Sequence, residues 1–309
     1  MKTRTFQSLC VPHGAMFALT VAGYFLCATA AIAENPLFER LVSKGVQTAQ
    51  GPALVLPAPS IVNGMSAAQQ QTAIEAVAKP NHNAESLLRK SVVAPFILKI
   101  TDDEASKAAG GTGRRVDLWF VVYGDLKRLR DVSFWENQVA TANASGEQSD
   151  TEKGTELSAI DLAKRGIQVD ERDDYRERYL AGSFALFDRV RLRGTVFTTE
   201  TLNDESAMFA VMLDPRFSDD AEYPNLWQPV RRDETGKLTV GKAHTYQGAG
   251  SYMKATQLKE PADAILVEYH MVFEEPEGWF NGANLLRSKL PILVQDSVRK
   301  FRRKLAERQ

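Results

Sequence analysis

Between Tyr175 and Glu274 the chain alternates apolar and polar residues over long stretches, and from Leu290 to Leu305 its apolar residues fall three and four apart. A period of two places side chains on opposite faces of a strand, whereas a period near 3.6 gathers them on one side of a helix. The C-terminal half therefore has to build antiparallel strands and then lay one long helix against them. That is an α+β fold, with a curved antiparallel sheet packed on a long C-terminal helix and a helical insertion upstream.

The clearest strand alternates Val190, Leu192, Gly194 and Val196 with Arg189, Arg191, Arg193 and Thr195, one apolar face in and three guanidinium groups out. Asn203-Asp204 offers a turn into a strand at 207–213. Pro215, Pro224 and Pro229 break the next region, and Thr235-Gly236 closes a small hairpin. Strands are then expected at 243–257 and at Ala264–Glu274, joined by Glu260-Pro261-Ala262-Asp263. In the final helix Leu290, Leu293, Val294, Val298, Phe301 and Leu305 form the stripe, and Lys300, Arg302, Arg303, Lys304 and Arg308 crowd the last turns, where cations favour the helix dipole. Val298 and Phe301 should face the sheet. Arg302 and Arg303 should not both be buried, because an unpaired charge in an apolar interior is costly.

The N-terminal segment says where the chain goes. Lys2 and Arg4 precede a stretch without charge that ends at Glu34; Met16 to Ile32 is apolar, and Ala31-Ile32-Ala33 forms an A-x-A cleavage site. Residues 1–33 are expected to be a signal peptide and 34–309 a single exported domain, periplasmic or secreted. The uncharged run is also long enough to span a bilayer as an uncleaved anchor; the cleavage site favours removal. Both cysteines, Cys10 and Cys27, lie in this leader. The mature chain then has no disulfide, thiol nucleophile or cysteine ligand, and only a packed core can hold it.

Of 309 residues, 276 remain after the leader, enough for one large domain. Removing Lys2 and Arg4 from 38 basic residues leaves 36 against 39 acidic ones, a net charge of about −3. Near-neutrality argues against a nucleic-acid partner, and no second run is long and apolar enough to cross a membrane.

Between leader and sheet, Asn35-Pro36-Leu37 reads as an N-cap with proline at the first helical position, with Gly45 ending the helix. Pro52, Pro57 and Pro59 keep 51–60 extended, with 53–56 an edge strand at most. Ser66-Ala67-Ala68-Gln69 is a capping box, and a further short helix is expected at 84–90. Residues 92–100 and 116–123 are almost continuously apolar, as in strands buried on both faces; the loop with Gly110, Gly111 and Gly113 between them lacks the context of a phosphate cradle. Residues 125–139 and 156–165 look helical. Between them 141–155 reads as a disordered surface loop, with a glycosylation sequon at Asn143-Ala144-Ser145.

This order of elements, over about Ala53 to Leu305, resembles the helix-grip arrangement of START-like (polyketide-cyclase-like) domains. The resemblance implies a curved sheet wrapped on the last helix around an apolar cavity. The small residues Gly248, Ala249, Gly250, Ser251 and Ala255 fit a strand that a helix or ligand approaches closely. The phrases Val93-Ala94-Pro95-Phe96 and Val116 to Asp125 also resemble uncharacterised exported proteins of planctomycete-type bacteria, a likeness that implies no activity.

The chemistry-bearing residues form no motif. His82, His244 and His270 have no zinc spacing and read as structural or solvent histidines. Ile265, Val267, Tyr269, Met271 and Phe273 make the face for the helix, which turns Glu268 and His270 outward on an ordinary amphipathic strand rather than into an acid–base pair. Asp214, Asp219, Asp220 and Glu222 read as a solvated loop, since their spacing matches no calcium loop. Trp227 and Trp279 in loops suggest either a sugar platform or, with Phe280, an apolar lid that fixes the final helix; the lid is favoured. No catalytic residue, metal ligand or cofactor is assigned.

The expected function is non-enzymatic binding of an apolar or amphipathic small molecule between sheet and last helix, in a cavity lined by residues such as Phe197, Met253, Met271 and Phe301. The alternatives are an envelope protein-interaction module with a filled interior and, third, an Asp/Glu-dependent hydrolase.

Overall fold

The computed structural model describes residues 35–49, 51–130, 154–235, 238–280 and 284–306. The expected leader and most of the expected disordered loop, 141–153, lie outside the described residues, as do Gly236 of the expected hairpin and residues 131–139 of an expected helix.

The described chain opens on α1 (Pro36–Ser43), where Asn35 Oδ1 accepts from the Phe38 amide at 3.0 Å and Gly45 turns the chain at φ +70°. The expected edge strand at 53–56 is a single bridge, Leu54 to Val46. An extended strap then leads to α2 (Ala67–Ala78), begun by the reciprocal Ser66–Gln69 capping box, and to α3 (Ala84–Leu87).

Strand β1 (Ile97–Asp102) starts later than expected. Pro95, which has no N–H to give, keeps this segment out of the ladder, and the carbonyls of Val92, Ala94 and Pro95 accept from a guanidinium instead. A short α4 (Glu104–Ala108) interrupts the glycine loop before β2 (Gly113–Tyr123). Leu126–Arg130 is a 3-10 turn, and the insertion continues with β3 (Thr155–Glu156), α5 (Ala159–Ala163) and β4 (Glu171–Arg172). Thr155, placed in the disordered loop by composition, pairs with Ala181.

The long strands follow as β5 (Tyr175–Leu186), β6 (Val190–Leu202) and β7 (Ser206–Leu213), then β8 (Leu226–Arg232) and β9 (Leu238–Val240). The strand expected at 243–257 splits at Gly248, φ +84°, into β10 (His244–Thr245) and β11 (Ala249–Gln257), and β12 (Ala264–Glu274) has the bounds its pattern predicts. The strands pair antiparallel in the order β1-β2-β12-β11-β7-β6-β5-β3, with β8 joined to β6, β9 and β10 and β4 to β5. The sheet stays open: β1 and β3 end it without meeting.

Register gives the two faces. On β2, Leu118, Phe120 and Val122 join Val267, Ile265 and Ala255 in a core that also holds Val298, Phe301 and Leu305 of α6 (Leu285–Ala306). On the opposite face Trp119 and Val121 meet Ile61, Ile74 and Leu87 of the strap, α2 and α3, while Tyr252, Met212 and Val272 meet Leu37 and Leu41 of α1. Two covered faces explain the continuous apolar run of β2. A Cβ on Gly250 would lie 2.6 Å from Val46 Cγ2, so the close approach expected on this strand is made by the N-terminal layer. The helix makes its own close approach at Gly124, where a Cβ would lie 2.7 Å from the Leu305 carbonyl oxygen.

Candidate functional site

The helix-covered face is sealed at its ends and left partly open between them. Leu286 is buried near the start of α6, and Val298, Phe301, Arg302 and Leu305 are buried near its end. Between these anchors Leu290 and Val294 are half-buried, while Ile292 is 62% and Leu293 44% exposed. The stripe read from sequence therefore docks by its ends, and Leu293, expected to face the sheet, faces solvent. Pro291 lies in the open stretch; without an N–H it removes one bond of the helical ladder.

The same face of the sheet carries a half-buried, largely apolar patch on β7, β11 and β12. Register places Met253 between Phe209 and Tyr269, and Ser251 between Val211 and Met271, all six partly exposed on the helix side. The residues alternating with them on β12, Glu268, His270 and Val272, are at most 1% exposed. The only polar atoms among these six side chains are hydroxyls: burial raises the Tyr269 phenol above its ordinary value, and the Ser251 hydroxyl beside it works in the opposite direction. A cleft of about 260 Å³ opens beside the start of α6, floored by Ile100, Phe280 and Leu285 and rimmed by Arg114, Glu275 and Arg287. Arg114 is held there by Glu275 at 2.6 Å and by Asp102.

Of the residues singled out by sequence, Met253 and Met271 belong to the half-buried patch on β11 and β12 and not to the cleft, and Phe301 is 7% exposed with its ring edge-on to Phe120 at 5.5 Å. Phe197 lies on the opposite face: it pairs with Met212, which pairs with Gly250, opposite Val272. There it stacks on Tyr179 at 5.0 Å. Alternation along β6 gives Val196 and Thr198 to the helix side and Phe197 to the other.

The outward placement of Glu268 and His270 is overturned, because the N-terminal layer covers the face they occupy. His270 Nδ1 lies 2.7 Å from Asp117 Oδ1, and Asp117 Oδ2 accepts from Arg115 Nε at 2.9 Å. The other ring nitrogen, Nε2, stands 3.9 Å from Glu268 Oε2, an ion-pair separation too long for a hydrogen bond, and has no hydrogen-bond partner. Glu268 accepts from the Ser60 amide at 2.7 Å, the Ile61 amide at 3.2 Å and Trp119 Nε1 at 3.0 Å. Lys254 donates to the Ile61 carbonyl at 2.7 Å, and the Tyr252 hydroxyl to the Pro57 carbonyl at 2.8 Å. Burial opposes charge on Glu268 and on His270, yet His270 first, then Ser60 and the Ile61 amide, hold the Glu268 carboxyl below its usual range, and Asp117 first, then Glu268, hold the imidazole above its own. Burial lowers Lys254, against the pull of Glu268 and Glu205. Asp117 and Lys254 were not singled out by sequence; the signal for Asp117 was a lone charge inside the otherwise apolar run 116–123, and for Lys254 a lone charge on its strand.

Elsewhere side chains satisfy one another. Arg165 grips Asp220 through two nitrogens, at 2.7 and 3.0 Å, and reaches Glu222 at 3.3 Å; Arg216 pairs with Asp214 at 2.6 Å. Asp219 is exposed, and among the described residues no group of three or more His, Cys, Asp or Glu side chains is arranged to hold a metal ion. Trp279 and Phe280 are buried where α6 begins, with Trp227 of β8 at 6.2 Å from Trp279. They serve as the apolar lid, since buried rings offer no sugar platform. His244 stacks on Trp227 at 4.6 Å, and His82 is exposed.

No family model and no curated protein matches the sequence. Among solved structures the chain is similar to the lipid transfer and protein localization domain of human StarD13, at 9% identity and TM-score 0.38, over 80% of this chain and all of that one. It is also similar to an uncharacterized protein from Rhizobium leguminosarum (10%, TM-score 0.31, 62% of this chain and 97% of that one). A protein from Rhizobium loti matches at 8% identity and TM-score 0.29, over 68% and 99%. At these scores none carries an argument about chemistry, and the α+β fold, an open antiparallel sheet with a C-terminal helix packed on it, rests on the topology of the chain itself.

Proposed function

We propose that the chain is a non-enzymatic binding protein that takes an apolar or amphipathic small molecule between its sheet and α6. One observation carries the reading: Phe209, Val211, Met253, Tyr269 and Met271 stay half-buried on the sheet face against which α6 packs, while the opposite face of the same strands is sealed. Apolar surface left wet forgoes about 25 cal/mol per Å², which a ligand laid on that floor would recover. The floor carries hydroxyls but no charge among these residues, which suits an uncharged tail. The acid–base alternative is not favoured, because Glu268, His270 and Asp117 lie beneath the strap at no more than 1% exposure.

Native mass spectrometry of the purified chain tests the proposal, followed by uptake of fluorescent lipids. Met253→Trp and Met271→Trp, which fill the floor, should abolish uptake without lowering the melting temperature. A chain that carries no ligand and takes up none of the lipids would refute it. The interaction-module reading rests on the exposed Ile292 and Leu293 of α6; it predicts instead that Ile292→Glu abolishes capture of a protein partner while lipid uptake is absent in the parent chain. We further propose that the protein acts after export and removal of residues 1–33, which N-terminal sequencing of the exported form would decide.

A further inference from the structure

The strap that crosses the face opposite the binding floor is held largely through its main chain. At Pro57, Ser60 and Ile61 the carbonyls and amides are gripped by Tyr252, Glu268 and Lys254. A further anchor is the Gly64 amide on Glu205 at 2.9 Å. Glu268 is the centre of this grip, since one carboxylate accepts from two strap amides and from Trp119. It is also the carboxylate that His270 Nε2 faces at 3.9 Å, while Asp117 fixes the other side of the ring. Imidazole is the side chain that changes charge near neutral pH. We propose that Asp117, His270 and Glu268 form a proton-operated latch on the strap, closed while the His270 ring carries both protons and released when it loses one.

The geometry sets the direction. With both protons the ring is a cation between two carboxylates, and Nε2–H points its charge toward Glu268. With one proton, held at Nδ1 by Asp117, a lone pair faces Glu268 Oε2 and two buried carboxylates lose the cation between them. The remaining charged groups are Arg115 on Asp117, Lys254 on the strap side of Glu268, Glu205 beyond Lys254, and Lys99, which sits over the Trp119 ring at 5.2 Å. Tyr252 stays neutral, because burial and then Glu268 and Asp117 raise its phenol. The strap contributes the Ser60 hydroxyl, which accepts from Trp119 at 3.1 Å, and no charge. None of these neighbours can restore the lost cation at Nε2. The sign follows: the raised imidazole stabilises the closed strap fully below the ordinary histidine value, and this contribution is lost as pH rises through the folded one.

Hydrogen exchange of the full chain from about pH 5.5 to about pH 9, each amide normalised to its intrinsic rate, reads the latch directly. The Ser60 and Ile61 amides should lose about tenfold of their protection across the His270 titration, followed by the ring's own NMR shifts, while Leu266 and Val267 stay protected. His270→Gln, neutral throughout, should show the released level at every pH. Asp117→Asn should move the midpoint down by about one pH unit. If either variant fails to fold, the parent chain decides alone. Protection at Ser60 and Ile61 that stays flat through the ring's titration, or that falls together with β12, overturns the latch.

Discussion

Replacing Arg302 by alanine tests how α6 is anchored. Arg302 is 5% exposed, and its guanidinium donates to four carbonyls: Val121 at 2.9 Å, Val92 at 3.2 Å, Ala94 at 2.5 Å and Pro95 at 2.9 Å. It also lies over the Phe120 ring at 6.0 Å. Burial, helped by repulsion from Arg89, pushes it down to about 10, so it is still charged at neutral pH. Val121 and Ala94 are buried, and each of their carbonyls loses a donor in the variant, at about 1 to 3 kcal/mol apiece; Val92 and Pro95 are half-buried and rehydrate. Relief of the guanidinium's own desolvation offsets part of this, which leaves a net loss of about 3 kcal/mol. Arg303, exposed one residue later, should cost no more than about 0.5 kcal/mol as alanine. Urea titration of the two variants compares them. If Arg302→Ala costs less than about 1 kcal/mol, the carbonyl cluster is not what holds α6.

Phe301→Ala should cost about 3 to 5 kcal/mol through lost burial against Phe120 and the void left behind, measured by the same titration. Gly124→Ala forces a Cβ onto the Leu305 main chain and should cost about 1 to 3 kcal/mol, with loss of exchange protection confined to the last turn of α6. Glu268 is held below the ordinary carboxylate range, so its contribution is complete above that range and disappears as pH falls through the folded value. Glu268→Gln should therefore flatten the acid limb of stability against pH and cost about 3 to 5 kcal/mol near neutrality. Cysteine is absent from the described residues, so reducing agent should leave the melting temperature of a chain lacking residues 1–33 unchanged.

Much of the local structure was legible in the residues because its causes are local. The Asn35 cap, the Ser66–Gln69 box and the bounds of β12 each follow from a side chain acting within a few positions or from a strict period of two. The α+β class and the inward side of Val298 and Phe301 followed from periodicity in the same way. Met253 and Met271 share the half-buried sheet face, whereas Phe197 lies on the other, because which parity of β6 meets the helix side depends on pairing across β7 and β11.

What periodicity does not encode is what covers each face. Leu266, Glu268 and His270 alternate with an apolar set, and by pattern alone that is a solvent face; only the chain's path from α1 to α3 across the sheet turns it into an interior. Once covered, its charges had to find one another, and Asp117, Lys254, Glu268 and His270 come from three strands up to 153 positions apart. Arg302 is the same case on the other side, charged by type and buried because four main-chain carbonyls converge where Pro95 keeps the chain out of the ladder. The sequence by itself determined which segments become strands and helices, because those preferences act over a few residues. Tertiary structure decided which polar groups are buried together, because the free energy of a buried charge depends on partners brought from distant parts of the chain.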